Sequence, residues 1–434
     1  MSENKVTLIA VHARLTSRWA VGTVAAADDN VKLPVLVDPR TNQPWIPGSS
    51  IAGSLKRHLE ERGDDWLGPD PQGFEQLTGN GDRVASRLAV LGAIVAAERD
   101  TSGSTEVDPR RGAASGRTLR SYEWSAPTTL TIAFQHDGDR SEDLITSLKS
   151  WRPHIGRGRG TGMGECEVLR VDDFTVDLNT EDGLTFWLGE RSEWFTSRPP
   201  VDAAAAAPSG WTTLHFTAKE PLHVGNGEKI QVGTHQEHAV IAHAGGGAPL
   251  VPGTSWKGVF RHRARTILEA VGADESQVKA VETGLFGSQG TGRGALWFGE
   301  TDLSAGCITR THVAIDRFTG GARDGSLFTV RAVKRGTDVP LRVRWNRGDM
   351  PKPVRNLMLH VARDLHDGLA TVGGMGTRGY GWLELKSHAG GMPAGAVTAE
   401  SLGELGPVVV QELLAAVTAP GKGLNPDKTT KEEV

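Results

Sequence analysis

WIPGSSIAGSLKRHLEE at residues 45–61 returns at 250–266 as LVPGTSWKGVFRHRART, which pairs Pro47 with Pro252 at an offset of 205. Three further stretches return in the same order. LTGNGDRVASRLAV (77–90) matches LFGSQGTGRGALWF (285–298), with Leu77 on Leu285 at 208. TEVDPRRGAASGRTL (105–119) matches HVAIDRFTGGARDGSLF (312–328), with Asp108 on Asp316, again at 208. GMGECEV (162–168) matches GYGWLEL (379–385) at 217. Offsets that drift only by the size of a loop insertion point to an internal duplication, which governs every later inference about the fold.

Between the copies, TSRPPVDAAAAAPSG (196–210) is rich in Pro, Ala and Ser and reads as a linker. The expected organisation is a module over 1–198, a linker over 199–209, a second module over 210–390, and a C-terminal helix with a disordered tail over 391–434. Each copy opens with a strand (VTLIAVHARL; WTTLHFTAKE) and passes through a long loop to a PGSS or PGTS turn, where Ser49 or Thr254 is expected to cap a helix. Strand segments (SRLAV; ALWFG), a Gly-rich excursion, another strand (TTLTIAF; VPLRVRW), a second helix (EDLITSLKSW; VRNLMLHVARDLHDG), a glycine loop and a last strand follow. Strand, helix, strands, helix and strand is the order of the ferredoxin-like, RRM-like unit, so the expected fold class is α+β with two such modules in tandem.

Composition narrows the function. Apolar residues at 38% and charged residues at 23% describe a soluble globular chain. The start alternates like a strand and lacks a signal-peptide core, so a cytoplasmic location without a membrane partner is expected. Cys166 and Cys307 have no CxxC partner, which argues against a zinc site or a disulfide framework. A net charge of −4 confines any nucleic-acid binding to local basic patches.

Three such patches stand out. Lys257, Arg261 and Arg265 recur every four residues, on the side of the helix opposite Trp256 and Phe260, and the stripe begins at a helix N-terminus suited to phosphate. The first copy has Ala52, Lys56 and Glu60 at the paired positions, hence fewer phosphate contacts. The glycine loops RGRGTGMG (157–164) and GGMGTRGYG (373–381) offer backbone N–H groups to an anion, with Arg157, Arg159 and Arg378 supplying charge. They follow a helix and precede a strand, the reverse of the dinucleotide fingerprint, and neither PG turn ends in the Gly-Lys-Ser/Thr of a P-loop. The excursions DPRRGAASGR (108–117) and DRFTGGARDG (316–325) carry Arg110, Arg111 and Arg317 with Phe318, a composition suited to wedging between bases.

IPGSSIAGSLKR, VPGTSWKG, LFGSQGTGRGALWF, HVAIDRFTGGARDGSLF and GGMGTRGYGWLEL together resemble the successive signatures of RAMP superfamily backbone subunits of type III CRISPR effectors, more sharply in the second copy. The resemblance implies ferredoxin-like cores that bind guide RNA, thumb hairpins that intrude into the guide–target duplex, and a tandem fusion of two backbone subunits as in type III-D-like effectors. It implies that Ser49, Ser50, Lys56, Arg57, Thr254, Ser255, Lys257 and Arg261 meet guide phosphates, and that 108–117 and 316–325 are the thumbs. The implied partners are guide crRNA, target RNA and other CRISPR effector subunits.

In that family an aspartate before the PGSS strand cuts target RNA with a metal ion. Aligning KLPVLVDP (32–39) with EHAVIAHA (237–244) puts Lys32 and Glu237 at its position, a departure from the pattern. Asp28 and Asp29 lie close enough to substitute in the first module. Glu237, flanked by His235 and His238, is the candidate in the second, as a ligand of Mg2+ or another divalent ion or as a base. The alternatives are a scaffold without cleavage, a guide-processing endoribonuclease using His235 or His238, and a nucleotide-binding protein using the glycine loops.

Overall fold

The computed structural model describes residues 4–23, 33–59, 63–68, 86–104, 107–108, 113–114, 120–197, 210–232, 235–240, 248–288, 292–303, 306–388, 392 and 395–419. Asp28, Asp29, Lys32, Arg110, Arg111, the linker 199–209 and the tail from 420 lie outside them. The chain divides into two compact units. One is Met1–Asp100 with Glu123–Arg159 and Met163–Ala207; the other is Thr101–Tyr122 with Gly160–Gly162 and Pro208–Val434.

In the first unit β1 (Lys5–Leu15), β2 (Leu88–Val90), β3 (Thr128–Asp137) and β4 (Cys166–Asp177) form a sheet in the order β4-β1-β3-β2. The strand β1 runs antiparallel to both neighbours, with Ile9 opposite Phe134 and Asp173. Helix α1 (Gly48–Leu59) follows β1 in the chain, and α2 (Glu142–Ser150) follows β3. Alternate strand residues share a face, as do helix residues three or four apart, so Ile9, Val11, Ala13 and Leu15 meet Ile51, Leu55 and Leu59 of α1 and Leu144 and Leu148 of α2 in one core. The other face of β1 is buried too. Leu8 and Ala10 pack with Phe186 and Trp187 of α3 (Glu181–Gly189) and Trp194 of α4 (Arg191–Thr196). Neither α3 nor α4 was expected from the sequence.

The second unit contains β5 (Thr212–Ala218), β6 (Gly225–Val232), β7 (His235–Val240), α5 (Gly253–Ala270), α6 (Glu275–Phe286) and β8 (Leu296–Phe298). It continues with β9 (Cys307–Ile315), β10 (Ala322–Val333), β11 (Asp338–Trp345), α7 (Lys352–His366), β12 (Leu383–Leu385) and α8 (Val410–Thr418). The main sheet has the order β8-β11-β5-β12, so in each unit the second, third, first and fourth strands of the unit's sheet lie side by side in that order. Trp256, Phe260 and Ala264 of α5 enter the core with Val278 and Leu285 of α6 and Leu357, Val361 and Leu365 of α7. A second sheet, β6-β7-β10-β9, carries an antiparallel ribbon in which His312 faces Phe328. Here β7 runs parallel to β10, Glu237 beside Thr329 and His238 beside Val330. The segment expected as a loop before the PGTS turn thus contains a hairpin, whose strands β6 and β7 pair with each other while β7 also meets an edge of the ribbon.

Two local expectations change. Helices α1 and α5 begin at Gly48 and Gly253, so Ser49 and Thr254 sit inside the first turn, and the N-cap of α5 is Pro252 with no side-chain cap bond. Packing dictates the glycines, since a Cβ would lie 2.0 Å from the Val90 carbonyl oxygen at Gly48 and 2.3 Å from that of Phe298 at Gly253. The C-terminal helix expected within 391–434 is split into a 3-10 turn, Ala399–Glu404, and α8, with Pro407 between them withholding a backbone donor.

Backbone contacts recur between equivalent residues of the two units. Trp19 and Ser125 exchange N–H···O bonds of 3.1 and 2.8 Å; Leu222 and Val333 do the same at 3.0 and 2.8 Å. Gly164 N donates to Arg18 O at 2.8 Å and Gly381 N to Pro221 O at 2.9 Å. Ile155 N donates to Gly164 O at 2.9 Å and Val372 N to Gly381 O at 3.0 Å.

Candidate nucleic-acid interface

The stripe on α5 splits into unlike parts. Thr254 is exposed, and the amides of Ser255 and Trp256 are taken by the Pro252 carbonyl at 2.9 and 3.3 Å. Burial, and then the charge of Arg261, lower the Lys257 amine to about 8. Arg261 donates to the Gly287 carbonyl and lies over the Phe286 ring at 5.6 Å. Arg265, expected to extend the phosphate-facing row, is instead held by carboxylates. It meets Glu282 at 2.5 Å and Glu275 at 3.2 Å, both on α6, and Glu269 at 3.5 Å, and the Glu282 bond raises its pKa further.

In the first unit Ser49 and Arg57 are exposed and Ser50 half-buried, while the Lys56 amine donates to the Gly68 carbonyl at 2.8 Å. Both glycine loops carry the same backbone device. Gly164 and Gly381 have φ of 75° and 80°, and a Cβ would lie 2.0 Å from the Ile155 carbonyl oxygen and 2.1 Å from that of Val372. The loop arginines differ. Arg157 donates to the Leu33 carbonyl at 2.7 Å and also to that of Glu123, and Arg159 to that of His154 at 3.1 Å, so both brace backbone. Arg378 is exposed, its guanidinium 5.0 Å from the centre of the Phe328 ring.

The excursions are hairpins. In the first, Arg99–Ser104 pairs with Arg120–Ser125 and Val107–Asp108 with Ala113–Ala114. In the second, the Asp316 carboxylate accepts the amides of Phe318 and Thr319 at 2.9 Å, which builds the turn and holds its pKa down. That turn leaves Arg317 exposed and Phe318 89% exposed at the tip.

At the base of this ribbon the structure gathers residues that the sequence reading missed. The rings of His312 and Phe328 stack at 5.2 Å, His238 stands edge-on to Phe328 at 6.2 Å, and His312 Nε2 lies 2.7 Å from the Tyr380 hydroxyl. Nearby, His223 Nδ1 donates to the Arg331 carbonyl at 2.7 Å. Burial lowers both His223 and His238, with Lys229 adding to the effect on His238. Only the alternation of Arg310 and His312 along β9 hinted at this face. The backbone of Glu237 lies one residue from His238 in β7, and the side chains of 235–237 lie outside the described residues. Among the described residues no three His, Cys, Asp or Glu side chains cluster so as to hold a metal ion.

Residues 215–384 match the RAMP superfamily. The RAMP match runs from β5 to β12 and takes in α5, the second hairpin and the second glycine loop; the first unit lies outside it. No curated protein matches the chain. No helix among the described residues is long and apolar enough to cross a membrane.

Proposed function

We propose that this chain is an RNA-binding backbone subunit of a type III CRISPR effector, built as a III-D-like tandem of two RAMP modules. In this reading α5, α1 and the glycine loops hold guide RNA, the hairpins at 108–117 and 316–325 act as thumbs against the guide–target duplex, and target RNA and other effector subunits are the partners. One observation carries it. The backbone bonds around Gly164 and Gly381 and between 19 and 125 or 222 and 333 recur at offsets of 217, 203 and 208, close to those at which the sequence repeats, and one of the two copies matches the RAMP superfamily. The ion-paired Arg265 and the backbone-bound Arg157 and Arg159 are better explained as supports of the RNA-binding surface. Scaffolding is the role that this geometry supports.

The test is to purify the chain with its neighbours from cells and sequence the RNA that comes with it. A uniform guide-sized RNA carrying repeat-derived ends is expected. A preparation free of RNA that also fails to bind added guide would overturn the reading.

A further inference from the structure

The second hairpin meets the glycine loop in a patch unlike anything at the paired positions of the first copy. By the offsets of 208 and 217, His312, Phe328 and Tyr380 correspond to Ser104, Arg120 and Met163. Register explains how the patch forms. On β10 Phe328 and Val330 share a face, and their cross-strand partners His312 and Arg310 join it from β9. His238, beside Val330, and Lys229, opposite His238, bring β7 and β6 to the same face. The glycine loop closes one side. Tyr380, 1% exposed, packs with Val330, Ala332 and Phe328, and its hydroxyl lies 2.7 Å from His312 Nε2.

The rings at the surface of this patch are half-buried, while Arg310 and Arg378 above them are exposed. Arg378 lies over Phe328 at 5.0 Å and Arg310 over Tyr380 at 5.9 Å. Among the described groups, none of those acting on His223, His238 or Tyr380 is a carboxylate. Arg265 differs, being surrounded by glutamates. One stacked ring pair, His312 and Phe328, with His238 edge-on beside it and cations at its fringe complements a flat, electron-rich base attached to a phosphate.

We propose that this face takes one unstacked nucleotide of single-stranded RNA, its base against the Phe328–His312 pair and its phosphate on Arg378 and Arg310. The site rests on the RNA-binding reading above and adds to it a contact that tells unpaired from paired RNA, because a base inside a duplex has both faces covered. The Tyr380 hydroxyl, 2.7 Å from His312 Nε2, sets the imidazole ring before RNA arrives.

The experiment measures binding of fluorescent oligoadenylate, alone and as a duplex with oligouridylate, to the full chain over a salt series. Phe328→Leu is expected to weaken single-strand binding by roughly five- to a hundredfold, the range of one base stack, with an unchanged salt slope and a duplex affinity within about twofold of the parent. Phe328→Trp keeps a stacking surface and is expected to bind like the parent. Arg378→Gln is expected to lower the salt slope by about 0.7, one phosphate contact on a single strand. The site is overturned if the parent binds the single strand and Phe328→Leu does so equally well, if the loss is as large on the duplex, or if Phe328→Trp loses binding while melting like the parent. Adenosine monophosphate competing as well as the oligomer would replace it with a mononucleotide pocket. A parent chain that binds neither RNA would sink the RNA-binding reading itself.

Discussion

Lys257 provides the sharpest test of the proposal that α5 holds phosphate. Its amine sits at about 8, below the ordinary lysine value, chiefly because burial disfavours the charge and also because Arg261 repels it. The unfolded chain, near about 10.4, binds more protons than the folded one between about pH 8 and pH 10.4, so the stability of the RNA-free protein rises with pH across that window. RNA binding must run the other way. A phosphate beside Lys257 restores the charge, and the complex keeps a proton that the free protein sheds. The free amine is about nine-tenths charged at pH 7 and about one-tenth at pH 9, so the binding constant should fall roughly tenfold over that interval. Fluorescence anisotropy with labelled guide RNA at fixed salt, at pH 7, 8 and 9, measures it. Lys257→Met should flatten the pH profile and lower the salt slope by about 0.7. A flat profile in the parent, or the same fall in Lys257→Met, would refute the placement of this amine against phosphate.

Arg265→Ala should leave the salt slope of RNA binding unchanged and cost about 1–2 kcal/mol in urea unfolding, between the surface and buried limits for ion pairs, because it strands Glu282. A lowered slope would return Arg265 to the RNA surface. Gly381→Ala should destabilise by more than about 2 kcal/mol, since it adds a Cβ at positive φ against the Val372 carbonyl, whereas Gly379→Ala, with open space at φ 78°, should cost only about 1 kcal/mol. Equal melting shifts would contradict the packing at Gly381. For cleavage, any cutting of target RNA by the assembled complex should need a divalent ion and depend on Glu237 or on Asp28 with Asp29. Full cutting by both Glu237→Ala and the double alanine variant, with RNA binding unchanged, would remove those carboxylates from the chemistry.

Much of this architecture was legible in the chain itself. The order of strands and helices follows from alternation in segments such as VPLRVRW and from i, i+4 spacing in Trp256, Phe260 and Ala264, because backbone geometry imposes those periods on any residue that must be buried. The repeat in the sequence was legible because the matched glycines answer local demands, positive φ at Gly164 and Gly381 and close carbonyls at Gly48 and Gly253. Tertiary structure alone decided which basic residues are available. Arg265 looks like Lys257 in a helical stripe, yet α6 folds back to bring Glu275 and Glu282 against it. Arg157 looks like Arg378 in a glycine loop, yet it ends on the carbonyls of Leu33 and Glu123. His312, Phe328 and Tyr380 meet only because the ribbon and the glycine loop converge, and the β6–β7 hairpin reaches this face because β7 pairs with an edge of the ribbon. Ion pairs, ring stacks and edge pairing are contacts between segments far apart in the chain, so no local period records them.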